Sequence, residues 1–152
     1  MLRVTKLADY GIVVMTHLAG NPGQLSARDI AAGACLPVPM VSKILKLLSR
    51  AGILMSHRGT KGGYSLARRP ESISVAEIIR ALEGPIAVTE CTDRVNGACD
   101  LERLCPVRSN WHRINEAIHG ALKQISLAEM SQPFADRLVN LTGYREHEIR
   151  AS

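Results

Sequence analysis

The stretch VPMVSKILKLLSRAGILMSHRGTKGGYSLAR, residues 38–68, changes its hydrophobic period halfway through. Over the first half, Val41, Ile44, Leu45 and Leu48 recur at three- and four-residue spacing, the stripe of an amphipathic helix. Ser42, Lys43, Lys46, Ser49 and Arg50 fall on its other faces. Proline lacks an amide donor and suits a first helical turn, so Pro39 is expected to open this helix and Gly52 to close it. Two short strands follow, ILMSH (53–57) and YSLAR (64–68), joined by RGTKGG (58–63). Glycines 59, 62 and 63 permit the positive backbone angles of a hairpin tip.

Working outward, residues 5–19 read as a helix with Leu7, Tyr10, Val14 and Leu18 on one face, stopped by GNPG (20–23). Ser26 and Asp29 form a capping signature for a short helix over 27–34, and CLPVP (35–39) connects it to the next. Cys35, beside apolar neighbours, is expected to be a small packing residue. SVAE (74–77) caps a further helix that ends at Glu83-Gly84-Pro85. Residues 86–107 have weak periodicity and read as a loop. The longest helix is expected over roughly 108–130, with Trp111, Ile114, Ile118, Ala121 and Ile125 spaced as a heptad-type seam. The tail 133–152 is expected to hold another short helix. The fold class expected is mainly α with a small β-hairpin wing: a winged helix-turn-helix over 1–85, a cysteine loop over 86–107, a long dimerisation helix over 108–132 and a tail.

Charge agrees with that division. Residues 1–80 carry eleven lysines and arginines against four acids, net +7, whereas residues 81–152 carry eight against ten, net −2. A basic first half points to a polyanion as partner. In a winged helix the third helix fits the major groove and the hairpin follows the backbone or the minor groove. Pro39, Ser42, Lys43 and Lys46 on the third helix, with Arg58 and Lys61 on the wing, are the candidate contacts with double-stranded DNA. Lys43 and Lys46 have the reach for phosphates, Ser42 and Lys43 for base edges, and Arg58 for the minor groove. A small domain that happens to carry a lysine face would show fewer of these features together.

Three of the four cysteines, Cys91, Cys99 and Cys105, lie in ECTDRVNGACDLERLC (90–105). Structural zinc sites pair their ligands two to four residues apart and use four in all, which this spacing lacks. No apolar run approaches the ~20 residues of a membrane span, and the N-terminus lacks an h-region and cleavage site, so a cytoplasmic location is expected and disulfides are not. By spacing alone an iron–sulfur cluster, a zinc ion, a thiol redox switch and plain free thiols all stay open. The five histidines are scattered with no nucleophile–base pair or phosphate loop, so an enzyme is not expected.

These pieces together resemble the IscR-like family of winged-helix transcription regulators. The resemblance runs through LRVTKLADYG, HRGTKGGYSLAR and ISVAEIIRALEGP to the three-cysteine loop and long helix. LPVPMVSKILKLLSRAGIL, EGPIAVTEC and NWHRINEAI most resemble the branch that regulates SUF iron–sulfur assembly. The resemblance implies a homodimer packed along the long helices. It also implies a [2Fe–2S] or [4Fe–4S] cluster on Cys91, Cys99 and Cys105, and a wing arginine at Arg58. Some members complete the site with a histidine three residues after the last cysteine; here that position is Arg108. Others take an acid from the first helix of the second copy, which Asp9 matches, with His112 as the alternative. The implied function is a cluster-sensing repressor; a thiol-based or nitric-oxide-responsive repressor is the alternative.

Overall fold

A computed structural model describes residues 3–93, 99–101 and 103–132. Its elements are α1 (Lys6–Gly20), α2 (Ala27–Ala34), α3 (Val38–Arg50), β1 (Leu54–His57), β2 (Gly63–Leu66), α4 (Val75–Glu83), α5 (Arg108–Gln124) and α6 (Leu127–Met130). The architecture is mainly helical with one two-stranded antiparallel hairpin, as the change of period at residue 53 predicts. The expected tail helix lies outside the described residues.

The stripe Val41, Ile44, Leu45 and Leu48 is fully buried. It packs with Val14, Met15 and Leu18 of α1, Ile30 of α2 and Ile78 of α4. Each such side chain contributes roughly 1.5–3 kcal/mol relative to exposure, which fixes which side of α3 is left outside. The helix begins one residue before Pro39. Pro37 stands at the N-cap, Pro39 at the second helical position, and the Val41 amide already bonds the Pro37 carbonyl at 3.1 Å. First-turn amides have no helical acceptor, so Pro39 forfeits nothing there. Cys35 is not a packing residue. It is exposed and left-handed (φ 54°), and it ends α2 with its amide on the Ala31 and Ala32 carbonyls. The chain must turn there to enter α3, and the turn carries the side chain outward.

The hairpin pairs Leu54 with Leu66 and His57 with Gly63. A third, one-residue strand completes it: Leu25 and Tyr64 exchange both backbone hydrogen bonds, at 3.0 and 2.8 Å. Gly63 allows this approach, since a Cβ there would lie 2.4 Å from the Leu25 carbonyl oxygen.

The long helix stops at Gln124, well before residue 130. Ser126 and Glu129 form a capping box that starts α6 instead, and Ile125 is extended. The Ile125 carbonyl accepts the Val75 amide at 2.9 Å, and the Leu127 amide bonds the Ile73 carbonyl at 2.8 Å. Ile125 therefore leaves the helical seam for this junction.

On the other strand of the junction, Ser74 and Glu77 form the second capping box. Burial pushes the Glu77 carboxyl up, but the Ser74 backbone amide at 3.0 Å and the Arg68 guanidinium at 2.8 Å outweigh it and hold it below its ordinary value. An exposed ion pair alone contributes less than about 1 kcal/mol; the cap contributes about 1 kcal/mol and is the stronger restraint. A lowered folded pKa stabilises above the unfolded value and loses that contribution as pH falls through the folded value. In urea unfolding, the advantage of wild type over Glu77→Gln should be constant above pH 4.5, the ordinary value, and shrink below it. An advantage that grows on acidification would contradict this assignment.

Candidate nucleic-acid interface and cysteine segment

Burying one face of α3 leaves Pro39, Ser42, Lys43 and Lys46 on the other, where they line one shallow groove with Leu47 and Arg50. Lys43, Lys46 and Arg50 are exposed. Sequence reasoning placed Arg50 off the buried stripe without assigning it a contact; its position one turn beyond Lys46 was the available signal.

Arg58 and Lys61 are exposed on the hairpin tip. Gly59 adopts φ +110° there, and the Gly62 amide bonds the Gly59 carbonyl at 2.9 Å. The Gln24 side chain donates to the Lys61 carbonyl, so the segment before α2 braces the tip as well as pairing with β2. Neither Gln24 nor Leu25 was singled out in the sequence, because a one-residue strand has no period. Among the described residues none of Lys43, Lys46, Arg50, Arg58 and Lys61 is paired with a carboxylate. Their charge faces outward, unneutralised.

The cysteine segment leaves α4 at Gly84, and residues 85–92 lie beside α5. A 3₁₀ turn over Glu90–Thr92 holds Cys91, half-buried, with its Sγ 3.1 Å from the Thr89 hydroxyl. Thr92 is buried and knits the turn: its hydroxyl donates to the Thr89 carbonyl and accepts the Val88 and Thr89 amides. The Val88 amide also donates to Asn115 Oδ1 at 3.1 Å, which ties the segment to α5. Asn115 is the buried residue of that helix, and no local pattern announced it, since its partner is 27 residues away.

Cys99 and Cys105 are half-buried. Three thiols on one segment suit an iron–sulfur cluster in donor chemistry. Among the described residues no three histidine, cysteine or carboxylate side chains are gathered as a single metal ion requires. Asp9 is exposed on the first turn of α1, and His112 is half-buried on α5. Trp111 and Ile118 are half-exposed, Ala121 is exposed, and Ile114 is 42% exposed, so this stripe has little cover within the chain. No single helix among the described residues is long and apolar enough to cross a membrane.

Known proteins share this architecture. The Rrf2 family profile, described as an iron-dependent transcriptional regulator, matches residues 4–133. The chain is 30% identical to protein rrf2 of Nitratidesulfovibrio vulgaris over 131 residues, covering 85% of this chain and 87% of that one. The structure of CymR, the global cysteine regulator of B. subtilis, superposes with a TM-score of 0.66 at 29% identity, covering 86% of this chain and 97% of that one. IscR of T. potens superposes with a TM-score of 0.65 at 32% identity, covering 85% of each. The hairpin and the helix order are thus those of winged-helix regulators, a family of transcription factors rather than enzymes, and this function implies DNA binding. The chain belongs to the Rrf2 family of transcriptional regulators.

Proposed function

We propose that this protein is an iron–sulfur-sensing repressor that binds operator DNA as a homodimer and controls iron–sulfur assembly genes of the SUF type. The observation that carries the sensing role is the placement of the three thiols. Cys91, Cys99 and Cys105 lie on a segment whose start is hydrogen-bonded to α5 through Val88 and Asn115. Cys91, Cys99 and Cys105 would hold the [2Fe–2S] or [4Fe–4S] cluster, with Asp9 of the partner subunit as the fourth ligand. A bound cluster supplies a centre whose loss or oxidation reports cluster supply. The chain's part is to carry a change in the 88–105 segment into α5. The likeness to the SUF branch in EGPIAVTEC and NWHRINEAI supports the target genes.

Homodimerisation is supported by the bare stripe on α5. Leu101, Leu104 and Val107, just before α5 in the chain, are 68%, 87% and 45% exposed and add further bare apolar surface. Such surface marks an interaction site. A second copy there would set the spacing of two α3 helices, and half-site spacing is what a dimer matches on DNA. On each half-site Ser42 and Lys43 face base edges, Lys46 and Arg50 face phosphates, Pro39 lets the start of α3 approach the groove, Lys61 follows the backbone from the wing and Arg58 reaches the minor groove.

A second reading is a thiol-based or nitric-oxide-responsive repressor. Its support is the state of Cys91, half-buried beside a hydroxyl and, among the described residues, outside any gathered ligand set. CymR, named as a cysteine regulator, is a relative of comparable likeness.

Three measurements test these assignments. Anaerobic purification with iron and acid-labile sulfide analysis should yield a coloured protein, and a triple Cys91, Cys99, Cys105→Ser variant should carry neither. A colourless wild type, still colourless after reconstitution, would favour the thiol reading. For DNA, Lys46→Ala should weaken binding to every sequence alike and reduce the slope of log K against log salt by about 1. An unchanged slope in a salt series of fluorescence anisotropy would remove Lys46 from the phosphate face. Ile118→Asp should weaken dimerisation and operator binding together in sedimentation and anisotropy; a stable dimer in that variant would place the interface elsewhere.

A further inference from the structure

A cleft of about 340 Å³ opens between the end of α4, residues 85–92 and one side of α5. Arg80, Thr92, His112, Asn115, Glu116 and His119 line it, with Pro85 and Ile86 as its apolar wall. His112, Glu116 and His119 are four and three residues apart and share one helix face. At about 100° per residue that face lies roughly 150° around α5 from the centre of the Trp111–Ala121 stripe. The cleft and the stripe therefore lie on different sides of α5.

Asn115 gives the cleft a polar floor. It is only 9% exposed. Its Oδ1 accepts the Val88 amide at 3.1 Å. An N–H requires an acceptor, so this bond fixes which way the side-chain amide is turned. The two Nδ2 donors are left without a partner among the described residues. They are not sealed off either, since the fully buried orphan among the described side chains is Ser49 Oγ alone. The Thr92 hydroxyl, by contrast, is saturated by three backbone groups. Near-buried donors left unmet by the protein are unfavourable, so an occupant that accepts hydrogen bonds is favoured there.

The walls select the occupant. Arg80 is exposed and has no ion-pair partner among the described residues, and the same holds for Glu116. Arg80 and Asn115 Nδ2 together offer donors to a carboxylate, which an arginine fork grips at two oxygens. Glu116 is the one acid of the lining and matches an ammonium. A bare inorganic anion would meet the Glu116 charge without compensation, and a cation would meet Arg80.

We propose that this cleft binds a free α-amino acid as its zwitterion. Its carboxylate sits on Arg80 and Asn115, its ammonium on Glu116 and its side chain along Ile86. Thr92 lines this cleft next to Cys91 in the chain, and the Val88 amide bonds both Thr92 and Asn115, so the ligand fastens the cysteine segment to α5. The site stands whether or not the three thiols hold a cluster.

The full chain with reduced thiols should be titrated calorimetrically with L-serine, L-aspartate and L-leucine, and with acetate and inorganic phosphate. At least one amino acid should bind at one site per chain, more tightly than acetate or phosphate. Arg80→Met and Glu116→Gln, which remove exposed unpaired groups and should keep wild-type circular dichroism, should each weaken it by about tenfold or more, one lost charged hydrogen bond. No binding by the three amino acids would overturn the proposal. So would phosphate binding equally well, which would mean an adventitious ion only, or unchanged affinity in both variants.

Discussion

The antiparallel junction of Ile73–Val75 with Ile125–Leu127 is the constraint on which the arrangement depends. Two backbone hydrogen bonds, 2.9 and 2.8 Å long, join the end of the long helix to the start of α4. A capping box stands on each side, so both strands of the junction run straight into helices whose first amides are already satisfied. Leu127 then drops, fully buried, into the core formed by the winged elements. Without this junction α5 would rest against α4 and the start of the cysteine segment with Asn115 as its one buried residue among those described.

The winged half was legible because each of its decisions is local. Ser26 and Ser74 cap helices three residues before an acid, the stripe of α3 repeats at helical spacing, and glycines mark the hairpin tip. The break at Ile125 was also written in the chain, as Ser126 and Glu129 repeat the spacing of Ser74 and Glu77. It was overridden in the reading by the seam, whose fifth member continues the heptad count. Periodicity counts apolar positions and takes no account of a carbonyl recruited by a strand fifty residues earlier. The same blindness to distance hid Leu25, which pairs across 39 residues, and Asn115, which pairs across 27. Cys35 was misread for the opposite reason: apolar neighbours suggested packing, but the residue that must turn left-handed between two helices points outward.

The cysteine segment is attached differently from everything else. Hydrogen bonds within the Thr89–Thr92 turn and one bond to Asn115 hold its start, with no fully buried aliphatic side chain among residues 84–93. Hydrophobic burial accumulates over a surface, whereas a single neutral hydrogen bond contributes about 1 kcal/mol net. A segment held mainly by polar bonds can therefore be repositioned at modest cost while the helical core stays intact. The proposed sensing role needs that contrast.

The same contrast sets where such a repositioning is felt. The Val88 amide is shared between Thr92 and Asn115, so the turn that fixes Cys91 and the bond that fixes α5 compete for one donor. In the proposed sensing role, chemistry at Cys91 that reshapes the turn would alter that division and so the hold on α5 at its middle, while its far end stays fastened at the junction. A helix held at one end and released near its centre pivots rather than slides. In the proposed homodimer the pivot would act on the exposed stripe, and through it on the separation of the two α3 helices. The cleft is lined by both acceptors of that shared donor, Thr92 and Asn115, so a ligand bound there would act on the same balance.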